Sequence, residues 1–346
     1  MNIFDSINAN EIATYWETLK QGQPPYLFET LFPHEKQLGM GLSFLKGANG
    51  IPVVLNASAL DVKAIPRGRI GFEKLEMEMP FMKEAYYIDE KSRQRMNELN
   101  GTSNQALKDV ILNRVFNDEV QLLASARVSR ERMCAMLVTS GTILFGNNGQ
   151  DYSYDYHVPE SHKITEQNFS TADFDIAKFI NDTLDTVETD TGVRPTRGIC
   201  SRSVMDMIIS NKTLANNVYV LTNGVGSINQ QTAIDYIRTQ TGVTLQVYSK
   251  KYKDETGSVV SYIPDNILTL IPDGNLGKMW FGTTPEESDL MSGTTANVRI
   301  TDTGVAIATT KEFDPVQILT KVSQMCLPSF EAADQIAIID VTPNAA

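Results

Sequence analysis

The stretch NQALKDVILNRVFNDEVQLLASARVSRERMCAML, Asn104 to Leu137, decides how the rest of the chain is read. It contains no proline and no glycine. Leu107, Ile111, Val115, Leu122, Ala126, Met133 and Leu137 recur at steps of four or seven, the repeat of one helical face. Asp118 and Glu119 interrupt the stripe once, and Lys108, Asn113, Arg114, Arg127, Arg130 and Glu131 fall largely on other faces. Gly101-Thr102-Ser103-Asn104 supplies turn and N-cap chemistry in front, and Gly141 a stop behind. One continuous helix would be roughly 50 Å long, a spine or an arm rather than an ordinary globular helix. The same residues also fit two shorter helices with a kink between Ser125 and Ser129.

Around this spine the chain is long enough for about two domains at 346 residues. Hydrophobic residues make up 42% and charged residues 21%, a soluble folded composition. No apolar run reaches the roughly 20 residues that span a bilayer, and Met1 to Asn10 lacks the pattern of a secretory signal. Cys134, Cys200 and Cys326 are few, odd in number and far apart, as expected of buried or incidental thiols and not of a disulfide framework or zinc site. A net charge of −12 argues against a general affinity for nucleic-acid phosphates.

Before the spine, Asn8 to Leu19 is expected to form a short helix carrying Ile12, Tyr15, Trp16 and Leu19. Pro24-Pro25 breaks it, and Tyr26, Leu27, Phe28, Leu31 and Phe32 follow. This is either an arm that lies across another surface or a peripheral helix of the same domain. Between residues 46 and 88, Gly and Pro punctuate β-prone runs. Leu75, Met77, Met79 and Phe81 then alternate with Lys74, Glu76 and Glu78. The pattern predicts a long hairpin with its tip near Arg67-Gly68-Arg69. An isolated hairpin is barely stable in water, so its apolar face needs a surface to rest on. Arg67 and Arg69 at the tip, with Glu73, Lys74, Glu76 and Glu78 on one leg, suit charge pairing between copies. Two edge strands with solvated charges are the plainer alternative. Ile88 to Leu99 is expected as a short charged helix.

Beyond the spine, Gly146 to Asp151 reads as a turn and Tyr152 to Val158 as a strand. Asp173 to Thr189 reads as a helix capped by Asp173 or Thr171. From Gly192 the texture is α/β. Helices are expected at Ser201–Ser210 and Gln231–Thr239, strands at Val243–Tyr248 and Ile267–Ile271, and a hairpin turn at Asp254–Gly257. A long strand over Pro315–Leu327 and a buried strand over Gln335–Val341 end a mixed α+β layout.

Chemistry-bearing motifs are sparse. Asp190-Thr191-Gly192 and Asp302-Thr303-Gly304 match the triplet of aspartic proteases, whose two carboxylates share a proton. Here each Asp follows a Thr and each Gly precedes a Val, and Asp-Thr-Gly is also a plain turn. His157 and His162, near Asp151, Asp155 and Glu160, lack the spacing of a rigid metal site. Gly224-Val225-Gly226 completes neither a dinucleotide loop nor a P-loop. No catalytic residue, cofactor or metal is expected.

Tyr262-Ile263-Pro264-Asp265-Asn266 with the apolar strand after it, Asp314-Pro315 with the long strand ending near Pro328, and Arg67-Gly68 with the run to Pro80 together resemble the lambda-type major capsid protein family, capsid protein E. The order of elements is similar to the Hong Kong 97 capsid fold of tailed phages. The resemblance implies a structural protein that assembles as pentamers and hexamers into an icosahedral shell around double-stranded DNA. It implies an N-terminal arm (1–45), an extended hairpin loop over the next subunit (46–87), a peripheral domain with the spine helix (88–191 and 297–328) and an axial domain (192–296 and 329–346). The implied partners are copies of itself, a separate scaffolding protein, a portal and a decoration protein, with DNA enclosed without sequence-specific binding and no membrane. The implied place is the virion capsid, assembled in the host cytoplasm. Lys63, Lys74 and Lys83 lie in the hairpin, where some relatives crosslink. A nanocompartment shell of the same fold and a soluble hydrolase using Asp190 and Asp302 are the alternatives.

Overall fold

The computed structural model describes residues 8–46, 73–88, 94, 105–147, 150–171, 173–221, 228–290, 296–313 and 316–341. In chain order its helices and strands are α1 (Ala9–Gln21), α2 (Leu27–Leu31), β1 (His34–Lys36), β2 (Gly41–Lys46), β3 (Glu73–Glu78), β4 (Phe81–Ile88), α3 (Gln105–Ser140), β5 (Thr142–Asn147), β6 (Gln150–Asp155), β7 (Lys163–Gln167), α4 (Ile176–Thr191), β8 (Arg197–Cys200), α5 (Arg202–Ser210), α6 (Lys212–Leu221), α7 (Gln230–Thr241), β9 (Thr244–Val247), β10 (Lys251–Lys253), β11 (Val259–Ser261), β12 (Ile267–Ile271), β13 (Met279–Phe281), β14 (Asn297–Thr301), β15 (Val305–Phe313), β16 (Val316–Pro328) and β17 (Ala337–Val341).

The spine is one helix of 36 residues, not two. The serines that suggested a kink do not break it; Ser129 Oγ bonds back to the Ser125 carbonyl at 2.9 Å within the continuous helix. A second expectation is corrected. Glu119, Arg127, Arg130 and Glu131 are buried alongside Leu122, Leu123, Ala126, Met133 and Cys134. This section of the helix is therefore enclosed on most of its circumference, and its charges are internal rather than solvated.

The chain divides into two compact units. The first comprises residues 1–42, 77–134 and 278–329, and the second 43–76, 135–277 and 330–346. Residues 135–191 and 278–296 thus group on the other side of the division from the expected domain bounds.

The first unit is built on the thirteen residues of β16. This strand pairs antiparallel with β15 along one side, and with β4 and then β13 along the other. β14 extends the sheet beyond β15, and β1 runs parallel to β13. Phe81, expected on the face of Leu75 and Met79, instead begins β4, so the hairpin leg ends at the Met79-Pro80 break. Ile88 ends β4 and is not the start of a helix, while Gln94 is helical; the rest of 89–99 lies outside the described residues. Asn8 caps α1 by accepting from Glu11 N at 3.0 Å. Ile12, Ala13 and Trp16 of α1 and Phe28, Leu31 and Phe32 are buried, and α1 lies against β14 and β15. Residues 9–32 are thus part of the body of the first unit.

The second unit has a mixed sheet in the order β7-β17-β12-β8-β9, parallel at β7/β17 and β8/β9 and antiparallel elsewhere. Ile180, Leu184 and Val187 of α4, Val204, Met205 and Ile208 of α5, Leu214 and Val218 of α6, and Ala233 and Ile237 of α7 share one core with Leu245, Leu268, Leu270 and Ile339. Caps set the helix ends. Asp175, not Asp173 or Thr171, caps α4; Ser201 caps α5 and Asn229 caps α7. Gly192 and Gly242 close α4 and α7 at φ 75° and 78°. The Pro264-Asp265-Asn266 run is a junction. Ser201 Oγ donates to the Asp265 carbonyl at 2.8 Å, Val341 N to the Asn266 carbonyl at 2.6 Å, and Asn266 Nδ2 to Asp340 Oδ1 at 2.5 Å. Those bonds tie the start of β12 to α5 and to the final strand. β5 and α6 are elements that the sequence reading did not anticipate.

Candidate assembly surfaces and a buried ion cluster

Of the expected hairpin only the second leg is described, as β3, and it pairs in a two-stranded sheet with β2, which lies before the expected first leg; residues 47–72 lie outside the described residues. Along β3, Lys74, Glu76 and Glu78 are exposed while Leu75 and, just beyond, Met79 are buried. Lys74 and Glu76 pair on the exposed face, and the Lys74 hydrogen bond holds the Glu76 carboxyl below its ordinary value. The tip, with Arg67 and Arg69, and the Glu73 side chain lie outside the described residues. Of the spine residues expected in the core, Leu122, Met133 and Leu137 are buried, while the side chains of Leu107, Ile111 and Val115 lie outside the described residues.

Sequence reasoning missed the strongest electrostatic feature of the first unit. Arg127 of α3 grips Glu29 of α2 with two parallel bonds, Nε to Oε1 and Nη2 to Oε2, each 2.6 Å. The Tyr26 ring lies 4.6 Å from the Arg127 guanidinium, and Tyr26 N donates to Glu29 Oε2 at 3.0 Å. One turn along α3, Arg130 reaches Asp302 at 3.1 Å and donates to Gln324 Oε1 at 2.9 Å, with its guanidinium 5.6 Å from the Phe281 ring. Asp302 also takes Lys20 Nζ at 2.6 Å and Trp16 Nε1 at 3.3 Å. Gln324 completes the set by donating to the Ala126 carbonyl at 3.0 Å. Two carboxylates thereby join α1, α2, α3 and the β14–β15 turn.

Burial alone would raise the Asp302 carboxyl, but Arg130, Lys20 and Trp16 overcome it and hold the group below the ordinary range. Glu29 follows the same logic, with burial opposed by Arg127 and the Tyr26 N–H. His34, on β1 beside this cluster, goes the other way for a base. Burial and the Arg130 charge push it down to about 4. The cluster had a faint signal in sequence. Trp16 and Lys20 are four apart, as are Leu123 and Arg127, so the charged residues continue apolar stripes.

Asp302 sits at φ 46° and Thr303 at φ 72°, a conformation that disfavours a β-branched residue. The turn from Thr301 to Val305 is closed by Gly304, where a Cβ would meet Phe281 at 2.5 Å. Asp302-Thr303-Gly304 is therefore a β-turn, and Asp190-Thr191-Gly192 is a helix end. Asp190 lies in the other unit, 3.1 Å from the buried His162 ring. A carboxyl dyad needs one member to keep its proton, and the Asp302 shift runs in the opposite direction. His157 N donates to Asp155 Oδ1 at 2.8 Å. Among the described residues no three His, Cys, Asp or Glu side chains converge as metal ligands. The three cysteines are buried and free, and burial pushes the Cys200 and Cys326 thiols up to about 12. Among the described residues no helix is long and apolar enough to cross a membrane.

The family model for phage major capsid protein E matches residues 8–341. The search of curated proteins gives no match. Among solved structures, a protein assigned as a capsid protein of a prophage of E. coli CFT073 superposes with a TM-score of 0.62 at 17% identity, covering 97% of this chain and 99% of that one. A phage-related protein from Bordetella bronchiseptica RB50 gives 0.52 at 13% identity, over 94% and 96% of the two chains. The procapsid of satellite phage P4, solved with its size determination protein, gives 0.50 at 9% identity, over 96% and 91%.

Proposed function

This chain belongs to the phage major capsid protein E family, and from that premise we propose how its parts serve a shell. It is a structural capsid protein, with the capsid fold of its structural neighbours. The observation that carries the reading is the family match over 8–341, all but the ends of the chain.

Copies associate as pentamers and hexamers in an icosahedral shell that encloses double-stranded DNA in the virion. The β2–β3 hairpin and its tip lie over the next subunit. The exposed row Lys74, Glu76, Glu78 on β3, with Glu73 and with Arg67 and Arg69 earlier in the chain, supplies the charged part of that contact. Alternating burial along β3 supports this, because a strand that hides Leu75 while exposing Lys74 and Glu76 has one face available for a partner. The sheet around β16 with the spine forms the periphery of a capsomer, and the α/β unit faces its axis. A scaffolding protein, a portal and a decoration protein are the further partners, and assembly takes place in the host cytoplasm. The P4 procapsid, solved with a size determination protein, supports an assembly helper for this chain as well. The net charge of −12 keeps packaged DNA from adhering to the wall.

The test is sedimentation and negative-stain microscopy of the full chain. Shells, tubes or five- and six-membered rings are expected. Replacing Arg67 and Arg69 by Glu is expected to leave the monomer folded and to stop assembly.

A further inference from the structure

The second unit carries a projecting element that its own core does not use. Residues 249–260 are almost wholly exposed, and among the described residues β10 and β11 pair only with each other. The register sets Lys251 opposite Ser261, Tyr252 opposite Val260 and Lys253 opposite Val259. Opposed residues share a face, so one face presents Lys251, Lys253 and Val259, the last 63% exposed. Neither Lys251 nor Lys253 has a carboxylate within salt-bridge distance among the described residues. Across the hairpin, Val260 is a second exposed valine.

This hairpin is rigid at both ends. At its base the Tyr252 ring lies 4.8 Å from Tyr262, which lies 5.9 Å from Tyr248. At its tip Asp254 Oδ1 accepts from Thr256 N at 2.9 Å, Thr256 Oγ1 at 2.7 Å and Ser258 N at 2.8 Å, and Gly257 turns at φ 83°. Two short strands alone are marginal in water. A pair of strands stapled at both ends, with lysines and valines outward, is pre-organised for docking.

Charge in this unit is segregated. Residues 135–277 hold sixteen acidic and ten basic side chains, and three of the ten are Lys250, Lys251 and Lys253, which with Asp254 and Glu255 at the turn leave the hairpin one charge positive and its lysines together at the first strand. On α4, by contrast, Asp182, Asp185 and Glu188 are exposed at steps of three, on one helical face. Arg194 pairs with Asp185 and Glu188, which leaves that face net negative. A hairpin bearing exposed lysines and an acidic face on the same unit suit a head-to-tail contact between copies, the arrangement that closes rings.

We propose that the β10–β11 hairpin docks on a second copy of this chain, with Lys251 and Lys253 against the Asp182–Asp185–Glu188 face of α4 and Val259 desolvated between them. The proposal rests on the self-association of the shell reading. It names one contact within a capsomer, separate from the β2–β3 hairpin.

The experiment is a charge swap in the full chain, read by sedimentation velocity and electron microscopy, with circular dichroism to confirm folding. Lys251→Glu/Lys253→Glu and Asp182→Lys/Asp185→Lys are each expected to fold and to give at least tenfold fewer capsomers and shells. Their combination is expected to recover yields to within about threefold of the wild type. Single-sided variants that assemble normally, or a combination that fails to recover, overturn the proposal and leave the shell reading standing. So does a Lys variant that assembles normally but retains less nucleic acid, which would assign the lysines to phosphate. A wild-type chain that never associates counts against both readings.

Discussion

Asp302→Ala removes the one carboxylate that Arg130 and Lys20 share. The two cations fare differently. Lys20 is about one-third exposed and turns into water at little cost, whereas the Arg130 side chain is 1% exposed and keeps its charge. Removing one partner of a buried pair costs about 3–5 kcal/mol. Arg130 retains Gln324 Oε1 at 2.9 Å and the Phe281 ring, which places the loss near the lower end. Alanine at φ 46° adds roughly 1 kcal/mol of backbone strain, since the left-handed region disfavours it. The sum is about 4 kcal/mol for alanine. Asparagine tolerates the turn and still accepts a hydrogen bond, so Asp302→Asn should cost about half as much. The chain has two tryptophans, Trp16 and Trp280, and both lie in the first unit. Urea unfolding of unassembled chain followed by tryptophan fluorescence therefore reports on the unit concerned. Arg130→Met in the alanine background should recover part of the loss, because the orphaned charge is gone. An alanine variant within about 1 kcal/mol of wild type, well below the cost of an uncompensated buried charge, or strictly additive losses in the double variant, would refute the reasoning.

Other outcomes follow from the same geometry. His34 titrates near 6.5 when unfolded and near 4 when folded, so the unfolded chain binds the extra proton between those values. Its contribution is complete above about pH 6.5 and is lost as pH falls toward 4, on the order of 3 kcal/mol at about 1.4 per unit. His34→Leu should flatten the loss of stability between pH 7 and 5, and an unchanged slope would contradict the assignment. Glu29 and Asp302 act lower. Their folded values are depressed, so their stabilisation is present above the ordinary values of 4.5 and 3.8 and fades as pH drops through the folded ones. A wild-type acid transition no steeper than that of Asp302→Asn would argue against this. Gly304→Ala sets a methyl 2.5 Å from Phe281 Cβ and 2.6 Å from its ring and should lower the thermal midpoint by several degrees, an overpacking cost of about 1–3 kcal/mol. Arg67→Glu/Arg69→Glu should leave that midpoint unchanged and abolish shells.

Much of this architecture could be read from periodicity. Asn104 to Leu137 gave away its helix through spacing and the absence of Gly and Pro, β16 showed itself as a long strand and β17 as a buried one. What stayed hidden has a physical cause in each case. Arg127, Arg130 and Glu131 were placed toward water because charge is usually solvated. Their partners Glu29 and Asp302 lie about 100 and 170 residues away, beyond any local pattern. β5 carries Gly146 and Asn147, which read as a turn, yet it pairs with β6 down to Asn147–Gln150. The cap at Asp175 was displaced from Asp173 because only Asp175 reaches Lys178 N. Surfaces that meet other copies leave no trace of their partner in one chain's sequence. The alternation of β3 was legible there as a strand in search of a surface, and the β10–β11 lysines only as part of a hairpin turn.

The central claim is that this chain builds a shell, and the most direct measurement is electron microscopy of the full chain, expressed alone and with the scaffolding protein proposed above. The account predicts closed shells or rings of five and six copies with the sheet and spine at the rim. Particles absent under both conditions, with a folded monomer at every concentration, would contradict it.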